Sequence, residues 1–192
     1  VKAGAIPGHS WIPTASESAP ASVMAYLPAS LDKLLGIYLL ARISLDMFVL
    51  SQGLKVLLLI IGAVTIILAV MMALLQHNLK KLLAFHAVSQ VGYMVLGIGT
   101  MNPIGLAGAL FHMLNNSIYK NCLFLSCGAI KKRTGTTNLG NLGGLAKVMP
   151  LTFTACLISS LAISGVPPFN GFTSKWLIYQ GILETGMNGS YI

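Results

Sequence analysis

Residues 103–130, PIGLAGALFHMLNNSIYKNCLFLSCGAI, form a run long and apolar enough to cross a lipid bilayer, yet His112 and Lys120 stand in its interior. At about 1.5 Å of rise per residue a helical crossing needs about 20 predominantly apolar residues. The run meets that length before the basic stop Lys131, Lys132, Arg133. As a helix it projects His112, Asn116 and Lys120 from one face, one turn apart, over roughly 12 Å. An ammonium near the bilayer centre costs between about 3 and more than 10 kcal/mol, so such groups face a bundle interior or a wet cavity. Snorkelling from Lys120 to the basic stop would have to reach roughly 15 Å, which is beyond a lysine. The ladder points to passage of an ion or a proton; the bland alternative is a set of polar locks between helices.

The rest of the composition agrees with a membrane setting. The 192 residues are 55% hydrophobic and 8% charged, with a mean hydropathy of +0.80, whereas soluble domains carry roughly 25% charged residues. The net charge of +8, from 12 basic and 4 acidic residues, reflects short basic connecting loops together with lysines inside apolar runs. No basic stripe interleaved with aromatics points to nucleic acid. Cys122, Cys127 and Cys156 lie in apolar segments at spacings of neither zinc nor redox motifs, so they read as small hydrophobes. No catalytic residue, metal site or cofactor site is assigned, and no cofactor is expected in this chain. The first residue is Val1 and no secretory leader pattern precedes the first apolar run, so residues 1–192 are expected to be a single membrane domain, an internal piece of a longer polytopic protein.

The expected fold is an all-α, polytopic helical bundle of about five full transmembrane helices plus a partial one. Residues 1–12 suggest the end of a helix broken near Pro7, since proline removes an amide donor and restricts its predecessor. A helix from about Ser22 to Arg42 holds Asp32 and Lys33 well inside it. These two diverge by about 100° around the axis, so each is expected to find a partner on another helix. A loop with Asp46 and Gln52-Gly53 follows. Val56 to Gln76 is an aliphatic span, lipid-facing or packed through Gly62 and Ala63. Leu82 to Gly99 returns with His86, Ser89, Gln90 and Tyr93 on one stripe, where His86 is expected to make interhelical hydrogen bonds. The segment Pro150 to Glu184 is interrupted near Pro167-Pro168, with Lys175 just past the break. Broken membrane helices expose unpaired backbone groups and mark ion or substrate sites. Alternating crossings put the 77–81 and 131–147 loops on one side, which the positive-inside rule makes the cytoplasmic one.

Five stretches carry a resemblance: KAGAIPGHSWIP (2–13), LLGIYLLAR (34–42), NLKKLLAFHAVSQVGYMVLGIG (78–99), ALFHMLNNSIYKNCLFL (109–125) and LGGLAKVMPLTF with SGVPPFNGFTSKW (ending at Trp176). In this order the chain resembles the second half of the antiporter-like proton-translocating subunits shared by respiratory complex I, Mrp-type sodium/proton antiporters and membrane-bound group 4 nickel-iron hydrogenases. The resemblance implies inverted helix bundles, each with a broken helix, and lysines and histidines along the membrane mid-plane. On it, Lys2 looks like the lysine before the first break, His112 the histidine of the central helix, Lys120 the bridging lysine, and Lys175 the terminal group after the second break. Asp32, Lys33, His86 and Asn116 are accessory polar candidates. The family's glutamate that pairs with the first lysine belongs to an upstream helix. Asn116 stands where a second histidine is frequent, and Pro28 where complex I members often carry a histidine; LPASLDKLLGIY looks more like the hydrogenase-type branch.

The resemblance thus implies a non-catalytic pumping subunit of a redox-driven complex, either NADH:quinone oxidoreductase-like or a membrane-bound hydrogenase, with a stand-alone or Mrp-type cation/proton antiporter subunit as the alternative. Its partners would be other membrane subunits and the lipid bilayer, in a prokaryotic plasma membrane or an organellar inner membrane. A buried lysine can load or release a proton as a carboxylate approaches or leaves.

Overall fold

A computed structural model describes residues 1–47 and 52–187, and every named regular element within them is helical. After turns at the start come α1 (Trp11–Ser18) and a continuous helix over Ala21–Met47. The latter is built of α2 (Ala21–Tyr26), a π turn (Leu27–Leu31), α3 (Asp32–Arg42) and a second π turn (Ile43–Met47). Next are α4 (Gln52–Leu74), α5 (Leu79–Gly99), α6 (Pro103–Thr134) and the short α7 (Leu145–Val148). The last described elements are α8 (Pro150–Ser164) and α9 (Asn170–Met187), separated by the expected interruption.

Local chemistry sets these boundaries. Pro28 has no amide to donate, and the helix widens there into a π turn in which the Ser30 hydroxyl donates to the Tyr26 carbonyl at 2.8 Å. The Asn78 side chain accepts the Lys80 amide and starts α5 three residues before its apolar run. Asn102 accepts the Gly105 amide at 2.6 Å, Pro103 takes the first position, and Gly135 ends α6 at φ 75°. These are the N-cap, N1 and left-handed C-cap roles those residue types favour. The loop expected around Asp46 is instead helix up to Met47, where Arg42 Nε and Asp46 Oδ2 pair at 2.9 Å across one turn. Residues 48–51, the remainder of that expected loop, lie outside the described residues.

Among the described residues three helices are long and apolar enough to cross a membrane: Ala21–Met47, Gln52–Leu74 and Leu79–Gly99. The 32-residue α6 has ample length but carries the polar ladder, and α8 and α9 are two halves of one interrupted segment. At one end of the bundle the turns on either side meet: the Leu79 amide donates to Thr137 O and the Leu139 amide to His77 O, both at 2.9 Å. The 77–81 and 131–147 segments therefore share an end, as the alternation of crossings required.

Inside a membrane apolar side chains gain little by leaving lipid, so close backbone approach and dispersion hold helices together. The contacts show it. A Cβ on Gly62 would stand 2.7 Å from Leu96 Cβ and 2.9 Å from the Gly92 oxygen, so α4 and α5 meet there as the small residue suggested. Gly105 and Gly181 bring α6 and α9 together in the same way. Apolar side chains cover the outside: Leu57, Ile60 and Ile67 on α4 and Leu114, Ile118 and Leu125 on α6 are exposed. The opposite face of α6 buries His112, Asn116 and Lys120. This polar-in, apolar-out arrangement is that of an integral membrane protein.

Candidate functional site

The polar face of α6 turns towards α5, and α5 organises what it meets. Lys120 Nζ donates to Leu83 O at 3.0 Å. One turn along, Lys33 Nζ reaches from α3 to Ala87 O at 2.5 Å. His112 Nε2 then stands 3.1 Å from Gln90 Oε1, and Lys175 Nζ lies 4.9 Å from the ring centre of Tyr93. Positions 83, 87, 90 and 93 form one helical stripe that rises by roughly 15 Å. Along it the order is Lys120, Lys33, His112, Lys175, contributed by three helices. His112 and Lys120 are fully buried, Lys33 is 1% exposed and Lys175 8%.

His112 is held from both sides. Nδ1 is 2.9 Å from Ser174 Oγ on α9, and the Tyr119 hydroxyl is 3.5 Å from Nε2. In the neutral ring, Nε2–H donates to Gln90 and the Ser174 hydroxyl donates to Nδ1. In the imidazolium, both ring N–H groups donate, and the Ser174 hydroxyl turns to the Gly171 carbonyl, 3.1 Å away. Each protonation state has a complete set of partners, so His112 can gain and lose a proton without leaving either nitrogen unpaired.

The helix break supplies the seat for Lys175. Gly165 N and Val166 N bond back to Ala162 O and Leu161 O at 3.1 and 3.2 Å, closing the end of α8. This leaves the last carbonyls of that helix, which Lys175 Nζ takes at 2.7 Å (Ile163 O) and 3.4 Å (Ser164 O). A helix C-terminus carries partial negative charge and favours a cation. Gly165 is at φ 82°, and a Cβ there would stand 3.2 Å from Lys175 Cδ. Asn170 and Asn115 lock the start of α9 to α6: Asn170 Nδ2 donates to Asn115 Oδ1 at 3.0 Å, and Asn115 Nδ2 donates to Asn170 O at 3.1 Å.

The other candidates fall unevenly around this stripe. Asn116 is fully buried and donates to Ala29 O at 3.4 Å, with its Oδ1 unpartnered among the described residues. His86 is half-buried; its Nδ1 has no hydrogen-bond partner there, so the interhelical bond expected of it is not made. Lys33 finds the partner on another helix that its position called for, whereas Asp32 is half-buried and pairs with no side chain among the described residues. Lys2 is exposed and is not brought to the stripe. Among the described residues the ion pairs are Arg42 with Asp46 and Lys81 with Glu17, so no carboxylate lies against Lys33, Lys120 or Lys175. Ser174, Gln90 and Tyr119 were not singled out as site residues from sequence. Gln90 had a signal in its place on the α5 polar stripe, and Tyr119 in its spacing of seven residues from His112 on α6; Ser174 had none.

Relatives match along nearly the whole chain. Hydrogenase-4 component B of Escherichia coli (strain K12) is 39% identical over 95% of this chain and 29% of its own length. The Na(+)/H(+) antiporter subunit A1 of Staphylococcus epidermidis is 37% identical over 100% of the chain and 25% of its own length. The chain thus spans between a quarter and a third of these relatives. Among solved structures, the Mrp complex from Dietzia sp. DQ12-45-1b superposes with a TM-score of 0.92 at 34% identity, over 97% of this chain and 35% of that one. A membrane-bound sulfane sulfur reductase, described as an archaeal respiratory membrane complex, gives 0.85 at 32% identity, over 92% of this chain and 37% of that one. The family model described as NADH:quinone oxidoreductase/Mrp antiporter, TM matches residues 1–190. With these matches and its helical, lipid-facing build, the chain belongs to the NADH:quinone oxidoreductase/Mrp antiporter transmembrane family.

Proposed function

We propose that this chain supplies a proton half-channel and a mid-membrane relay within a longer subunit of a multi-subunit complex, residues 1–192 acting as one membrane domain. The observation that carries the reading is the α5 stripe, on which four buried ionisable groups from three helices follow one another over roughly 15 Å. Lys120, Lys33, His112 and Lys175 pass the proton in that order or its reverse. Carbonyls of Leu83 and Ala87 hold the two amines, and Gln90 and Ser174 keep His112 paired in both of its states. The orphan Nδ1 of His86 and Oδ1 of Asn116 favour water beside the amines, since a buried unpaired polar atom costs about 1–3 kcal/mol. Lys2 stands outside this sequence of groups and would join it through the family's glutamate on an upstream helix.

Energy has to come from other subunits. A charge crossing about 100 mV costs about 2.3 kcal/mol, equal to a shift of about two units in proton affinity. A carboxylate brought near one amine and withdrawn from it supplies a change of that size. We place the chain in a prokaryotic plasma membrane, with the 77–81 and 131–147 end in the cytoplasm, where the basic excess at that end belongs. No cofactor is assigned to it.

Two settings share this machinery. A redox-driven complex is favoured by the likeness to hydrogenase-4 component B, and a sodium/proton antiporter by the likeness to antiporter subunit A1. Proton flux in vesicles holding the complete complex separates them: flux driven by an electron donor without sodium supports the first, and sodium-driven flux without a donor supports the second. Absence of proton flux under both conditions, in a correctly assembled complex, would overturn the translocation reading itself.

A further inference from the structure

A second group of amines lies away from the α5 stripe, at the end of the bundle where the 77–79 and 137–139 turns meet. Lys80 opens α5, Lys131 and Lys132 close α6, and the three line a cavity of about 440 Å³ together with Ala19, Ala21 and Gly128. Lys80 is 4% exposed, and its Nζ donates to Ala19 O at 2.7 Å. Gly128 lets the helix beginning at Ala21 come close, since a Cβ there would stand 2.7 Å from Ala21 Cβ.

The charge around this cavity is unbalanced. Glu17 pairs with Lys81 and Asp46 with Arg42, and among the described residues no carboxylate pairs with Lys80, Lys131 or Lys132. Lys131 and Lys80 are close enough to repel. Lysines in the last turn of α6 complement its dipole. Lys80 starts from the N-terminus of α5, where a cation is disfavoured, but its ammonium is carried across to Ala19 O at the C-terminal end of α1, where one is favoured. The helix that begins at Ala21 has its first residue in the cavity wall. Its first backbone bond runs from Met24 N to Pro20 O, so the amides of Ala21, Ser22 and Val23 precede any intrahelical bond. The following residues Val23, Tyr26 and Leu27 are exposed and apolar, a surface for acyl chains just inside the basic end.

We propose that this cavity binds the phosphate headgroup of an anionic phospholipid, its acyl chains running down the face of α2. Basic pockets between transmembrane helices at the cytoplasmic surface suit such headgroups.

The full-length protein, purified from its native membrane and reconstituted in nanodiscs of phosphatidylcholine with a minor share of cardiolipin or phosphatidylglycerol, tests this. Native mass spectrometry counts the retained anionic lipid. Joint Lys80→Gln, Lys131→Gln and Lys132→Gln substitution should weaken retention about tenfold or more, whereas the arginine substitutions at the same positions and Lys147→Gln, outside the cavity, should keep it. Should the triple variant assemble poorly, the exposed Lys131→Gln alone should lower retention in the same direction. Unchanged retention in the glutamine variants overturns the site. Millimolar inorganic phosphate that displaces the lipid completely, and binds equally well in pure phosphatidylcholine, overturns the lipid in favour of a free anion.

Discussion

Lys33 and Lys120 come from different helices, yet their amines end on backbone carbonyls one turn apart on α5, those of Ala87 and Leu83. Neither has a carboxylate beside it among the described residues. On the proposed relay, two amines held this way along one rail act in series, whereas independent locks would act separately.

Series arrangement has a kinetic signature. Lys120→Met and Lys33→Met are each expected to slow coupled proton transfer about tenfold or more, roughly 1.4 kcal/mol or above in the barrier. The double variant should be no slower than the worse single one, because either gap already interrupts the chain. Dye-quench measurements in vesicles containing normally assembled complex check this. Independent, multiplying losses would point to separate routes, and intact pumping would leave the lysines as structural ties.

For His112 the expectation concerns proton exchange apart from packing. His112→Gln can still hydrogen-bond Gln90 and Ser174 but cannot titrate, so transfer should fall about tenfold or more while the melting temperature holds. Ser174→Ala removes the hydroxyl that follows the ring between its two states, and leaves a nitrogen unpaired at a cost of about 1–3 kcal/mol. It should slow transfer less than His112→Gln and lower stability more. Thermal unfolding in detergent and transport in vesicles, measured side by side, separate the two; equal behaviour of both variants in both assays would sink the assignment.

What could be read beforehand follows from how local each feature is. The ladder of His112, Asn116 and Lys120 needed only helical periodicity, and the break ahead of Lys175 needed only the conformational limits of Pro167, Pro168 and Gly165. The caps at Asn78, Asn102 and Gly135 are local in the same sense. Partner choice is not local. Ser174 meets His112 because of the rotation and tilt of α9 against α6, and Lys33 finds Ala87 rather than its neighbour Asp32 because α3 faces α5; Tyr119, two turns from His112 on α6 itself, is the local exception. The helical course of residues 43–47 was missed because their apolar content does not distinguish a loop at the membrane surface from a further helical turn closed by Arg42 and Asp46.

The seat of Lys175 makes the glycines at the break sensitive in different ways. Gly165→Ala forces a side chain into the left-handed region at about 1–2 kcal/mol and pushes against Lys175 Cδ. Gly171→Ala is the harsher change, since its Cβ would run into the Ala162 carbonyl oxygen. Both should lower the melting temperature, Gly171→Ala more. Only Gly165→Ala should leave an assembled complex that pumps poorly. A fully active Gly165→Ala variant would mean that the orphan carbonyls of Ile163 and Ser164 do not set the position of the lysine that matters.

Orientation rests on charge and on one physical junction. The bonds between 77–79 and 137–139 tie Lys80, Lys81, Lys131, Lys132, Arg133 and Lys147 to one end of the bundle. Arg42 and Lys55 belong to the other, where Gly99 packs on Leu58 near the start of α4. The positive-inside rule favours the cytoplasm for an end rich in basic residues on short loops, and the proposed orientation follows it. In the full-length protein with Cys122, Cys127 and Cys156 replaced by serine, Lys147→Cys should therefore react with a membrane-impermeant maleimide only after cells are broken or vesicles inverted. Gly53→Cys, exposed at the start of α4, should react in intact cells. The reverse pattern would turn the bundle over and exchange the entry and exit ends of the relay, while leaving the order of groups along α5 unchanged. Labelling of both positions from the same side would mean that α4 does not cross, which its 23 apolar-rich residues make hard to accommodate in any other way.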